Sequence, residues 1–149
     1  VLAHVYPGAD IPVVQLSMDG TQPAAFHFET GRRLGVLRDQ GVLILASGNV
    51  VHNLSLMKWR EDAAAYDWAT AFNDTVRERL LERDHESVVN PMKSGEAARL
   101  SIPTPEHYLP LIYALGAAGA DDPVEVLTDG IELASISMLS IGFGAHAPR

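Results

Sequence analysis

Two histidines sit where an imidazole can do chemistry. His52 lies in the stretch Gly48-Asn49-Val50-Val51-His52-Asn53, and His107 lies in Thr104-Pro105-Glu106-His107-Tyr108-Leu109-Pro110. A neutral imidazole binds a metal ion through a ring nitrogen, or accepts a proton near neutral pH, so both are candidates for metal binding or acid–base work. Each also has a plainer reading, since a lone loop histidine is more often a hydrogen-bonded structural residue than a ligand. The chain has no cysteine, which excludes disulfides, thiolate nucleophiles and Cys-ligated zinc or iron–sulfur sites. Any metal must be held by histidine and carboxylate. GxGxxG, Walker, HExxH and GxSxG patterns are absent too, which removes the commonest nucleotide, zincin and hydrolase readings.

The elements that must position these residues follow from apolar patterning. Residues 42–46 (VLILA) form a continuous, partly β-branched run, as expected of a strand buried on both faces of a parallel sheet. The His52 loop then opens at the carboxyl end of that strand, where ligands bind in open α/β sheets. Residues 11–17 (IPVVQLS) predict a second buried strand, which would bring Ser17 to the same sheet edge. Between them, over residues 23–40, Phe26, Leu34 and Leu37 recur at helical spacing while Arg32, Arg33, Arg38 and Asp39 stay polar. Strand, helix and strand in this length predict a right-handed βαβ unit. Thr104 is read as an N-cap and Pro105 as the first helical residue, which places His107 in the first turn of a helix running through Leu111, Ile112 and Leu115. The positive end of that helix favours a neutral imidazole. Asn49 and Asn53 are equally well read as turn residues or as groups orienting His52, and Tyr108 is read as a pocket wall in preference to a core aromatic.

The remaining chain is read more coarsely. Residues 1–6 predict the last turn of a helix, and residues 62–83 a long amphipathic helix with Tyr66, Ala69, Phe72, Val76 and Leu80 on its apolar face and a solvated charged face. Residues 93–105 predict an ordered loop, 124–127 an alternating strand, and 135–143 (SISMLSIGF) a Ser-rich apolar strand. His85 is assigned to the surface, His146 to an exposed tail, and His27 to a surface or satisfied helical position.

The bulk properties bound the function. A length of 149 residues is that of one domain, spanning 1–149. Eleven Lys+Arg against 19 Asp+Glu give a net charge of −8, which argues against a nucleic-acid surface and favours a small-molecule or protein partner. No apolar segment is long enough to span a bilayer and no basic-then-apolar leader opens the chain, so no membrane role and a cytoplasmic address are expected. The start at Val1, inside the expected helix tail, predicts a fragment or a processed product.

Residues 9–17 (ADIPVVQLS), the GNVVHN stretch around His52 and the TPEHYLP stretch around His107, taken in this order, resemble the class III extradiol ring-cleavage dioxygenases, and within them the 4,5-DOPA dioxygenase extradiol branch. The resemblance implies an α/β fold with a central, mostly parallel sheet and helices on both faces, of which this chain would be the C-terminal portion. It also implies a non-haem Fe(II), with zinc sometimes in its place, bound by His52. His107 would serve as a further metal ligand or as the proton-transfer residue. Catechol and O2 are the implied small-molecule partners. His4, His27, His85 and His146 match no family motif. The family draws further metal-ligand histidines from the part preceding Val1, so a second chain carrying an N-terminal half is an implied partner. Competing readings are an inactive fragment or non-catalytic metal- or ligand-binding subunit of the same fold, and a zinc-dependent hydrolase.

Overall fold

The computed structural model describes residues 2–60 and 62–144. The position assigned above to His146 lies outside the described residues. Six helices occur along the described chain: α1 Leu2–Val5, α2 Ala24–Leu34, α3 Asp67–Leu81, α4 His85–Val89, α5 Glu96–Ser101 and α6 Leu109–Ala117. Four short strands follow: β1 Val124–Thr128, β2 Ile131–Glu132, β3 Ile136–Ser137 and β4 Ser140–Phe143.

Helix α6 is the centre of the packing. Its sequence, LPLIYALGA, is apolar around most of the circumference, and Leu109, Ile112, Tyr113, Leu115 and Gly116 are all buried. A helix apolar on every side needs neighbours on every side. On one flank α2 approaches so closely that a Cβ on Gly31 would lie 2.2 Å from the Tyr113 carbonyl oxygen, and one on Gly116 would lie 2.2 Å from the Phe28 carbonyl oxygen. Glycine is required there by backbone contact, not by conformation. The imidazole of His27 fills the same seam, fully buried, with Nε2 3.2 Å from the Gln22 carbonyl and Nδ1 3.0 Å from the Tyr113 hydroxyl. Nε2 faces only an acceptor and must carry the proton, so Nδ1 accepts from the tyrosine. His27 is therefore a satisfied core residue.

On the other side, Ala69, Phe72, Val76 and Leu80 of α3 bury the predicted helical stripe against Val51, Val88, Ala98, Tyr108 and Ile112. The helix starts later than the sequence predicts, at Asp67, with Tyr66 as its N-cap. Part of its charged face is paired: Arg77 reaches Asp129 across the fold and, within the helix at 3.0 Å, Asp74. Just beyond α3, Arg83 donates to the carbonyls of Ala120 and Asp122.

Several expectations are corrected. Residues 11–17 and 42–46, among the described residues, belong to no strand, so the parallel βαβ pairing is not formed. The strands that do form are antiparallel, β1 with β4 and β2 with β3. A strand is a paired object, and its apolar pattern alone cannot supply the partner. The predicted helix over 23–40 ends at Leu34 and tightens into a 3-10 stretch, Gly35–Gln40, closed by Gly41 in the left-handed region. The predicted loop at 93–105 contains α5, and the predicted strand at 135–143 is broken into β3 and β4. His85 is half-buried at the start of α4, its ring 6.1 Å from that of Phe28. Among the described residues no helix is long and apolar enough to cross a membrane.

Candidate metal centre

The segment carrying His52 is held by three distant parts of the chain. Its amide donates to the Ser101 carbonyl at 3.0 Å, at the end of α5. Residues 51–53 run antiparallel to β3: Ser137 donates its amide to the Val51 carbonyl (2.9 Å), Asn53 donates to the Ser135 carbonyl (3.2 Å), and the Ser135 hydroxyl returns a bond to the Asn53 carbonyl (2.8 Å). Ahead of His52, the Asn49 amide donates to the His107 carbonyl at 2.9 Å. A Cβ on Gly48 would lie only 2.1 Å from that same oxygen. The two histidine motifs are thus docked backbone to backbone.

The asparagines do structural work. The Asn49 side chain donates to the Ser137 carbonyl (2.7 Å) and that of Asn53 to the Leu100 carbonyl (2.8 Å), while Asn53 Oδ1 accepts from the Leu56 amide and the Ser55 hydroxyl. They fix the backbone that carries His52, and neither bonds its ring. The turn at Leu133 and Ala134, both at positive φ, presents carbonyls to the amides of Lys58 and Tyr66 and so ties the same hairpin to the entrance of α3.

His107 lies in a turn, not in the first turn of a helix. The Tyr108 and Leu109 amides both donate to the Pro105 carbonyl, and α6 starts only at Leu109, with Pro110 in its opening turn. Thr104 caps nothing; its hydroxyl donates to the Glu106 carboxylate at 2.7 Å. Tyr108 is a buried core aromatic whose hydroxyl donates to the Val88 carbonyl (2.9 Å), and burial raises its phenol pKa. One edge of it also lines a cavity of about 400 Å³ with Gln22, Lys93 and Pro105, so the wall reading holds in part.

These constraints bring the rings of His52 and His107 to 4.6 Å between centroids, tilted by 32°. His52 is 4% exposed, and neither Nδ1 nor Nε2 has a hydrogen-bond partner. The Thr104 and Asn49 backbones lie near enough to favour a charged ring, but no atom meets hydrogen-bond geometry with either nitrogen. Burial first, and the His107 ring second, lower the His52 pKa, with Glu106 opposing them. The ring is therefore neutral at pH 7, with a lone pair free. The Glu106 carboxyl is held below its ordinary value by the Thr104 hydroxyl first, with smaller help from both histidines.

A buried, neutral, unpartnered imidazole beside a second one suits a divalent transition metal, because imidazole is a ligand for iron and zinc alike. The donor set is nonetheless short. Among the described residues, no group of three or more His, Asp or Glu converges on a possible ion, and a catalytic centre ordinarily takes three protein ligands. His52 and His107 fit as part of a site, not as a whole one. The sequence reading missed the roles of Gly48, Ser135 and Ser137. Their signal was present, since Ser135 and Ser137 are two apart on an extended segment and so share a face.

Comparison with known proteins identifies the family. The family described as the catalytic LigB subunit of aromatic ring-opening dioxygenase matches residues 2–144. The chain is 50% identical over 147 residues to 4,5-DOPA dioxygenase extradiol of Escherichia coli (strain K12), covering 97% of this chain and 54% of that protein. It is 39% identical over 128 residues to 4,5-DOPA dioxygenase extradiol of Portulaca grandiflora, covering 85% and 46%. The crystal structure of an uncharacterized protein from Escherichia coli K12 superposes with a TM-score of 0.87 at 50% identity, covering 94% of this chain and 58% of that one. The chain spans about half the length of the curated relatives it matches. Its match to the family runs through both histidine motifs and nearly every described element, and the chain belongs to the LigB family of aromatic ring-opening dioxygenases.

Proposed function

We propose that this chain provides part of the active centre of a non-haem Fe(II)-dependent extradiol dioxygenase that opens the ring of a catechol such as DOPA. The observation that carries the reading is the buried His52 ring, with both nitrogens unpartnered, 4.6 Å from the ring of His107. Family membership and the relatives called 4,5-DOPA dioxygenase extradiol support the reaction class.

In this reading His52 is a metal ligand. The enclosing bonds to Ser101, Ser135 and Ser137 hold its backbone in place, and burial keeps the ring neutral so that it can bind without first losing a proton. A metal held there by His52 would supply Lewis acidity toward a catechol hydroxyl. His107 is a second ligand, or else holds and returns the catechol proton at a ring nitrogen, its position fixed by the Gly48 and Asn49 backbone against its carbonyl. Burial of His52 itself, 4% exposed, keeps water from its ring. The missing ligands come from outside the described residues, in a complementary stretch of polypeptide.

The test is metal content, followed by oxygen uptake with DOPA after anaerobic Fe(II) loading of an enzyme containing this chain and the missing ligands. Stoichiometric, catechol-dependent uptake that is lost in His52→Ala supports the reading. Zinc-dependent turnover that needs no oxygen would replace it with a hydrolase.

A further inference from the structure

A polar side chain interrupts the face that α3 buries. Asn73 is 3% exposed and lies in the same stripe as Ala69, Phe72 and Val76. A buried amide is costly unless its polar atoms are paired, and here both ends are. Nδ2 donates to Asp129 Oδ1 at 2.8 Å, in the turn between β1 and β2, and Oδ1 accepts from the Ser137 hydroxyl of β3 at 2.6 Å. The direction of these bonds is fixed. The Asp129 carboxylate, which also accepts from Arg77 and from the Gly130 amide, has nothing to donate. The Ser137 oxygen accepts the Leu139 amide at 3.1 Å, so its own proton goes to Asn73.

Ser137 carries this network to His52. Its amide donates to the Val51 carbonyl at 2.9 Å and its carbonyl accepts from the Asn49 side chain at 2.7 Å. Its backbone is thus committed to the His52 segment and its hydroxyl to Asn73. A metal-ligating histidine is ordinarily aimed by a hydrogen bond to its second ring nitrogen. His52 has no such bond among the described residues, so its aim is left to the backbone that bears it and to packing. The geometry points to Asn73 as a positioning residue of the metal centre: braced by Asp129 and Arg77, it locks Ser137, and through Ser137 it holds the segment that aims the His52 ring. It touches neither metal nor substrate. The consequence for metal binding rests on the proposed function; the hold on the His52 segment does not.

The test uses an enzyme containing this chain and the missing ligands, with Co(II) as the probe metal, read by its visible absorption, and amide hydrogen exchange as a second readout. Asn73→Asp sets a carboxylate against that of Asp129. It should weaken Co(II) binding by about tenfold or more, alter the cobalt bands, and speed exchange at the Asn53 and Ser137 amides relative to those of α6. The swap Asn73→Asp, Asp129→Asn reverses the donor between the two positions and keeps an acceptor for the Ser137 hydroxyl, so it should restore most of the affinity, the bands and the protection. If Asn73→Asp does not fold, Asn73→Leu, which removes both bonds and stays apolar, is measured in its place. A lower melting temperature with unchanged cobalt affinity and bands would make Asn73 a core residue only and overturn the inference, as would a swap that rescues melting but not the bands. Cobalt binding that is absent, or equally tight in His52→Ala, would instead reject the metal reading. Exchange then decides the positioning role: selectively faster exchange at Asn53 and Ser137 in the Asn73 variant supports it, and unchanged exchange overturns it.

Discussion

Gly48 and His107 are joined by their backbones: the His107 carbonyl oxygen occupies the place where a side chain on residue 48 would begin, 2.1 Å from the would-be Cβ, and accepts the next amide along, from Asn49, at 2.9 Å. Neither histidine motif can be positioned without the other. Gly48→Ala should push these backbones apart and destabilise the fold by about 1–3 kcal/mol, the usual cost of overpacking. Urea denaturation measures that loss. The variant should also weaken metal binding in a complete enzyme, because the His52 and His107 rings separate. Unchanged stability would mean that the two backbones are not in contact.

His52 carries a conflict between stability and function. Two buried ring nitrogens without partners are a standing desolvation penalty. His52→Leu removes that penalty at similar volume, so the metal-free chain should gain about 1 kcal/mol or more, seen as a higher urea midpoint. The same substitution should abolish metal-dependent activity in the complete enzyme. A destabilised metal-free variant would indicate that the ring has hydrogen-bond partners in solution.

The α2–α6 seam makes a sharper comparison. Gly31→Ala and Gly116→Ala each drive a methyl group to 2.2 Å from a backbone oxygen and should cost about 1–3 kcal/mol. Gly20, with nothing within 4 Å of its would-be Cβ, is the control. Gly20→Ala should be neutral or stabilise by up to about 1 kcal/mol through the unfolded chain. Thermal melts of the three variants side by side decide the point.

Acid sensitivity should include a contribution from Asp122. Its carboxyl is lowered by the Arg38 guanidinium first, 2.6 Å away, and by the Gly119 amide second. Because the folded pKa lies below the unfolded one, this pair stabilises the protein fully above the unfolded carboxylate range, near pH ~4, and the contribution disappears as pH falls through the lower folded value. Asp122→Asn should lower the urea midpoint at pH 7 and flatten its fall between pH 5 and 3. A parallel shift at all pH values would assign the effect to packing.

What the sequence made legible were the features that are local or periodic. The α3 stripe of Ala69, Phe72, Val76 and Leu80 repeats at helical spacing and is buried as read. The pairing of the two histidine motifs was also legible, because their neighbouring residues resemble a family. Strand formation at 11–17 and 42–46 was not, since the residue types describe an edge but not what it meets. The short α5 was hidden because six residues between Gly95 and Ile102 are too few to establish a period. The turn at His107 was misread because a Thr-Pro pair signals a helix start, and only the doubled use of the Pro105 carbonyl reveals that the helix is delayed to Leu109.

The clasp around His52 also sets when the centre can exist. Asn49 and Ser137 are 88 residues apart, and Asn53 and Ser135 are 82 apart, so these bonds close among the longest loops in the chain. Contacts of such sequence separation form late, after local helices such as α3 are in place. A nascent or partly folded chain therefore holds both imidazoles without the frame that brings them to 4.6 Å, and the proposed metal seat takes shape only in molecules that have finished folding.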